Sequence, residues 1–311
     1  MAPKKRRRRP GLGRFVRGLL WITNLFLGNE GLTLPPVPRH KLFRLAACLA
    51  VAVGAPGARA ADPEPAPAPQ ASAEDGWIVT LRGIAAVSPS FPGSGRLRPY
   101  PFPSISFRRI GEPEIFSTPD DGFGFALIDV GGFRAGPVAN FVFKRGQRDG
   151  LFGVHTVELA HEVGGFAEFS AGGHFRSRAE LRQGIDGHKG FVAALGADLY
   201  GGDGRATLSI GPRISIGDNR YANAYFSVTP FEAALNGQLT PYEATGGFTS
   251  AGALATFRYE FTKDTNATFY GGLQRLTGSV GSSPIPEIVG SRNQFTAGVS
   301  IARSFEIRGL W

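Results

Sequence analysis

Four histidines beyond residue 76, His155, His161, His174 and His188, are the side chains best suited to ligate a metal or move a proton. His155 and His161 stand six residues apart. On a strand they share a face but lie about 20 Å apart, too far for one ion to join directly. His174 would need a serine and a carboxylate beside it to work as a hydrolase base, as in the His/Ser lipid hydrolases among small outer-membrane barrels. No nucleophile motif accompanies it, and isolated strand histidines are ordinarily structural or interfacial. Gly201-Gly-Asp-Gly204 has the composition of a phosphate cradle, yet no helix pattern follows to supply N-terminal amides, so it reads as a hairpin turn. The only cysteine, Cys48, lies in the leader, so an exported chain holds no cysteine nucleophile or ligand. The residues therefore specify no catalytic group, no cofactor and no metal.

What they do specify is pairing. Arg82, Glu168, Arg178, Glu180, Arg182, Arg213, Arg258 and Glu260 fall on the polar sides of segments that alternate with a period of two. The clearest runs from Arg205 to Ile216. Ala206, Leu208, Ile210, Pro212, Ile214 and Ile216 take one side; Arg205, Thr207, Ser209, Gly211, Arg213 and Ser215 take the other. Similar runs begin at Trp77 and occupy 99–109, 123–130, 136–144, 154–162, 165–175, 177–183, 190–200, 220–227, 250–262, 265–275 and 293–305. Asp120-Asp-Gly122, Asp149-Gly150, Asp186-Gly187 and Asp218-Asn219 punctuate them with turn chemistry.

In a soluble sandwich the polar sides would meet water. In a membrane barrel the apolar sides meet lipid and the charges pair in the lumen. Three features favour the barrel. The apolar sides mix small and aromatic residues without needing to fill a core. Several runs exceed the usual soluble strand length of about 5–6 residues. The last run carries Phe295, Ala297, Val299, Ile301, Phe305 and Ile307 in alternation, with Trp311 at the end. Phe305 and Trp311 are the candidate terminal signals for barrel-assembly machinery. The fold expected is all-β: a closed antiparallel transmembrane β-barrel of about twelve strands, in a range of about 10 to 14.

Charge distribution supports the same address. The formal charge is +9, but residues 1–60 hold 12 of the 34 Lys and Arg and one of the 25 Asp and Glu. The remainder is close to neutral, which excludes nucleic acid as the main partner. Arg39 to Arg44 forms a basic n-region and Leu45 to Val53 an apolar stretch. Ala58 and Ala60 set a small-x-small cleavage pattern, with Ala61 the mature start. Leu45-Ala-Ala-Cys48 is too close to Arg44 for a lipobox. The basic run Lys4–Arg9 precedes a second, complete signal, which suggests a start near Val37; an extended n-region is the alternative. The expected organisation is a leader over 1–60, a Pro/Ala-rich periplasmic tail over 61–76 and a barrel over 77–311.

The body also resembles the MltA-interacting protein/OmpV family of outer-membrane proteins. The residues that carry this are Pro89–Ser94, Arg98-Pro-Tyr-Pro-Phe-Pro103, Glu162–Phe166, Gly217–Val228, Tyr242–Gly247, Arg275-Leu276 and Ser283-Pro284. Ser227 departs from the glycine expected there, and the chain continues past Phe305, where the family tends to stop. The resemblance implies an outer-membrane barrel in contact with outer-membrane lipid. Its function would be a non-enzymatic scaffold for envelope machinery, linking a lytic transglycosylase to a murein synthase. A small-solute channel is the alternative reading, and a lipid-modifying barrel enzyme a more distant one. The segments Pro89–Pro103 and Ser227–Thr249 remain open: the first as recognition loop or strand connection, the second as plug or external loop.

Overall fold

The computed structural model describes residues 76–308. The leader, Ala58, Ala60, Ala61, the tail up to residue 75 and Trp311 lie outside the described residues. The rest is all-β, and its strands belong to one curled antiparallel sheet. They are β1 (Gly76–Pro89), β2 (Leu97–Arg109), β3 (Phe123–Gly124), β4 (Ile128–Val130), β5 (Phe133–Val142) and β6 (Ala160–Ala171). Then follow β7 (Phe175–Gly184), β8 (Phe191–Asp203), β9 (Ala206–Gly217), β10 (Gly247–Thr262), β11 (Thr265–Leu276) and β12 (Asn293–Arg308). The order is β2-β1-β12-β11-β10-β9-β8-β7-β6-β5-β3, with β4 also on β5. First and last strands pair, Val79 opposite Phe305, so the chain ends are knitted together.

Alternation assigns the two faces. Leu81, Phe107, Phe169, Leu181, Leu199, Phe269 and Ile301 stand exposed on the convex side, whereas Glu168, Arg176, Asp198 and Arg213 are buried on the concave side. Such curling crowds the concave face, and several glycines there answer that crowding. At Gly211 a Cβ would collide with the Ala197 carbonyl of β8. Gly211→Ala should therefore cost about 1–3 kcal/mol as an overpacked site, read as a shift in the urea midpoint of the folded protein.

Tight turns join the strands at one end, where Gly172, Gly173 and Gly204 take φ of 60°, 67° and 63°. The long connections gather at the other. One holds helices α1 (Asn219–Phe226) and α2 (Pro230–Asn236), and another the short turns 278–281 and 285–289. Tyr225, Phe226, Leu151, Val154, Val228, Val280 and Ile285 are buried in the two apolar clusters these segments build. Ser227–Thr249, left open between plug and loop, thus forms part of an apolar cap.

Several expectations need correction. In the 220–227 run, residues 220–226 are helical rather than extended, and only Ser227, the C-cap, has extended backbone. Asp218 caps α1 by accepting from the Tyr221 amide at 2.9 Å, and Tyr221, Ala222, Tyr225 and Phe226 recur at helical spacing. Residues 154–159 belong to the cap, and β6 runs unbroken through the position where two strands were expected. The 123–130 segment is split into β3 and β4 opposite Pro137, which has no amide to give to a ladder.

No ladder joins β2 to β3 or β4 among the described residues. The Ser90 amide donates to the Arg96 carbonyl at 2.9 Å and the Ile110 amide to the Gly76 carbonyl at 3.1 Å, so even-numbered residues of β2 bond to β1. Odd-numbered residues face away from β1, and three of them are Pro99, Pro101 and Pro103. The free edge lacks amide donors over that stretch, which blunts it against pairing. β2 and the β3–β4 segment also run in the same direction, since both descend toward the tight-turn end.

Candidate functional site: a charged interior with an inserted segment

After β2 the chain turns at Gly111 (φ 88°) and residues 112–122 climb back along the concave face. This segment occupies the direction of the strand missing between β2 and β3. Its acidic residues meet the arginines of the wall. Glu114 takes both terminal nitrogens of Arg258, at 2.6 and 2.7 Å. Asp120 accepts from Arg213 Nε at 2.6 Å, and Asp121 from Arg176 Nη2 at 2.8 Å. Phe116 stacks on Tyr200 of β8 with ring centroids 4.1 Å apart. Thr118 donates its amide to Asp121 at 2.8 Å, which tightens the turn. The Asp120-Asp-Gly122 turn exists, then, immediately before β3, with its two aspartates turned onto the arginines of the concave face.

The wall is itself paired. Arg176 reaches Glu168 at 2.7 Å and Asp198 at 3.4 Å; Arg178 reaches Glu180 at 2.7 Å and Glu168 at 3.1 Å. Arg182 bonds Glu162 at 2.8 Å and contacts Glu180 as well. Arg213 holds Asp198 at 2.9 Å. Arg258 also lies 3.4 Å from Glu260, and Arg82 is half-buried on the same face. The structure thus brings Glu168, Arg178, Glu180, Arg182 and Arg213 into one connected set and leaves Arg258 with Glu260 at its margin. Phe305 is on the convex face of β12.

Sequence reasoning missed Glu162, Arg176 and Asp198, although Glu162 shares the parity of Glu168 on β6 and Arg176 that of Arg178 on β7. His188, named among the candidate histidines but given no partner, enters from the β7–β8 turn and lies 3.0 Å from Glu162. The inserted acids carried no positional signal beyond their clustering. The other histidines are dispersed: His174 faces the Tyr200 carbonyl at 3.3 Å, and His161 is 3.4 Å from Asp186. No group of three His, Cys, Asp or Glu side chains suited to a metal ion occurs among the described residues.

Above this network the cap is locked by two charged residues. Buried Arg145 donates to the Tyr225 carbonyl near the end of α1, at 2.5 Å, and to the His155 carbonyl at 2.8 Å. Burial lowers its pKa to about 10. Glu232 completes a capping box with Thr229 on α2 and accepts from the His155 amide and ring at 2.7 Å each. Burial opposes its charge, yet the donors of Thr229 and His155 prevail and hold the carboxyl at about 2 instead of 4.5. A depressed carboxyl contributes stability that is complete above pH 4.5 and fades as pH falls toward 2. Hydrogen exchange of residues 143–159 should therefore accelerate over that window, and Glu232→Gln should remove this part of the pH dependence.

Between the network and the cap is a cavity of about 420 Å³. Val142, Val192, Leu254 and Tyr270 line its sides; Asn140 and the Asp120–Arg213 pair lie toward the network.

These features define an all-β protein built on one curled antiparallel sheet, with an ion-paired concave face and an apolar convex face. The family model described as MltA-interacting protein MipA matches residues 83–305, and the chain belongs to that family. No curated protein sequence matches it. Among solved structures, an outer membrane channel from Pseudomonas putida F1 aligns over 77% of this chain and 100% of its own, with 11% identity and a TM-score of 0.36. OccK8 (OprE) of Pseudomonas aeruginosa aligns over 75% and 98%, with 8% identity and a TM-score of 0.27. OprG of the same organism aligns over 76% and 98%, with 10% identity and a TM-score of 0.20.

Proposed function

We propose that this protein is a non-enzymatic outer-membrane β-barrel that serves as a scaffold for envelope or murein machinery. In this reading it is exported by its leader, and the barrel closes across the β2 edge through side chains rather than a ladder. The convex face carries exposed Leu, Phe and Ile side chains strand after strand, a surface suited to lipid and costly in water. The observation that carries the scaffold reading over the channel is the inserted segment. Residues 112–122 cross the interior on charge-assisted bonds, and the apolar cap covers the opposite end. A family description that names interaction with MltA points the same way. Barrels of this kind keep short turns on the periplasmic side, so the tight-turn end and the tail would face the murein partner.

Planar-bilayer recording joined to crosslinking in intact envelopes tests this. The expected result is electrical silence with a murein synthase or lytic transglycosylase captured. Ion-permeable openings of defined size, with no such enzyme captured, would establish the channel instead.

A further inference from the structure

The free edge of β2 faces the β3–β4–β5 side across a gap that only side chains fill. Phe102 pairs with Ile84, on the face that carries Arg82, whereas Phe123 pairs with Ala139 on the opposite face. Their rings nevertheless meet, with centroids 5.1 Å apart. A side chain from the concave face can touch one from the convex face only where no backbone separates them. Toward the cap the gap widens. β3 begins opposite Ala139, so no strand stands between the start of β2 and residues 140–142 of β5. There Tyr100 and Phe143 stack at 4.4 Å, and both rings line the cavity of about 420 Å³.

We propose that this gap is a lateral portal through which a single-chain amphiphile with an uncharged, hydrogen-bonding head enters the cavity from the bilayer. The proposal rests on the membrane-barrel reading above. The cavity volume falls in the range of about 300–1,000 Å³ usual for small-molecule sites. The Tyr100 and Phe143 rings touch one another in the stack and part to admit the chain of the amphiphile, which then continues into lipid, so its apolar surface is never exposed to water. The head reaches Asn140 and the floor. Arg213 is already matched by Asp120 and Asp198, and Arg182 by Glu162. A charged head would unbalance one of these pairs, and a buried uncompensated charge is costly. A neutral head gains hydrogen bonds without disturbing them. Pro99, Pro101 and Pro103 keep the portal from zipping shut, because the edge they occupy offers no amide to a ladder.

The test uses the full chain reconstituted in phosphatidylcholine vesicles with a monoacylglycerol that bears a diazirine beside its head. Photolysis and peptide mapping should place adducts on Asn140, Leu254 or Tyr270. No cysteine lies within residues 76–308, so Tyr100→Cys with Phe143→Cys can be bridged by a short bismaleimide. Bridging should abolish the interior adducts while the unbridged pair retains them. If the cysteine pair fails to fold, Tyr100→Ala with Phe143→Ala, which widens the gap, should raise interior labelling. Interior adducts that survive bridging, or do not rise on widening, overturn the portal. A second probe with the diazirine at the chain end reports the convex face. Adducts at Phe107 and Leu181 without interior adducts overturn the portal alone, and loss of the convex adducts overturns the membrane-barrel reading itself.

Discussion

Arg176→Met should lower the stability of the folded protein by roughly 3–5 kcal/mol, the usual cost of leaving a buried charge without its partner. Arg176 is 2% exposed and serves three carboxylates at once: Glu168 at 2.7 Å, Asp121 at 2.8 Å and Asp198 at 3.4 Å. Methionine fills similar volume, so the loss is one of charge rather than of packing. Glu168 would keep Arg178 and Arg134, and Asp198 would keep Arg213, but Asp121 would retain, besides its bonds from Thr118, only the 3.8 Å approach of Arg178 as a charged partner. The comparison variant is Lys144→Met, whose pair with Glu158 is exposed on both sides and should cost at most about 1 kcal/mol. Urea titration of vesicle-inserted protein, read by heat-modifiable gel mobility, separates the two. Adding Glu168→Gln to Arg176→Met should recover part of the loss, because the remaining acids repel one another less. Equal effects of Arg176→Met and Lys144→Met would mean that the interior is wetter than its geometry states.

The parts of this arrangement that the sequence discloses are those governed by local alternation. The run Arg205–Ile216 lies almost wholly within β9, and its two sides are the two faces of the sheet because a period of two is a property of the strand itself. The interior arginines follow from the same parity. What escaped reading depends on other rules. Tyr221 to Phe226 has the aromatic content of a strand, but the Asp218 cap and an apolar cluster to bury against make the helix cheaper locally. Thr229-Pro-Phe-Glu232 does carry a capping-box signature and was legible in principle. The inserted segment was not: Glu114, Asp120 and Asp121 find their partners through contacts more than 50 residues away in sequence. The prolines of β2 were visible as a motif, yet the side of the strand on which their missing amides fall emerges only from the register with β1.

That inserted segment should be separable from the wall that holds it. In Glu114→Gln, Asp120→Asn, Asp121→Asn combined, the three charge-assisted contacts to Arg258, Arg213 and Arg176 weaken together, each worth roughly twice a neutral hydrogen bond. The wall loses much less, since every one of these arginines keeps a carboxylate of its own: Glu260, Asp198 and Glu168 respectively. Mutual repulsion among the arginines is therefore contained, and the sheet stays folded while the segment has lost its anchors. The Phe116–Tyr200 stack remains, but an aromatic pair adds only about 0.5–1.5 kcal/mol beyond its burial. A reporter is available in Ser209, which is 1% exposed and bonded to Thr256 at 2.6 Å deep on the concave face. In Ser209→Cys alone the thiol should resist a bulky, membrane-impermeant maleimide. With the three neutral substitutions added, labelling from the tight-turn side should become rapid. The urea midpoint should shift far less than in Arg176→Met. Continued protection of the thiol would show that packing, not charge, keeps residues 112–122 in place. Rapid labelling in the otherwise native background would mean that the segment leaves the interior without help, and the occluded scaffold would then give way to a passage open at one end.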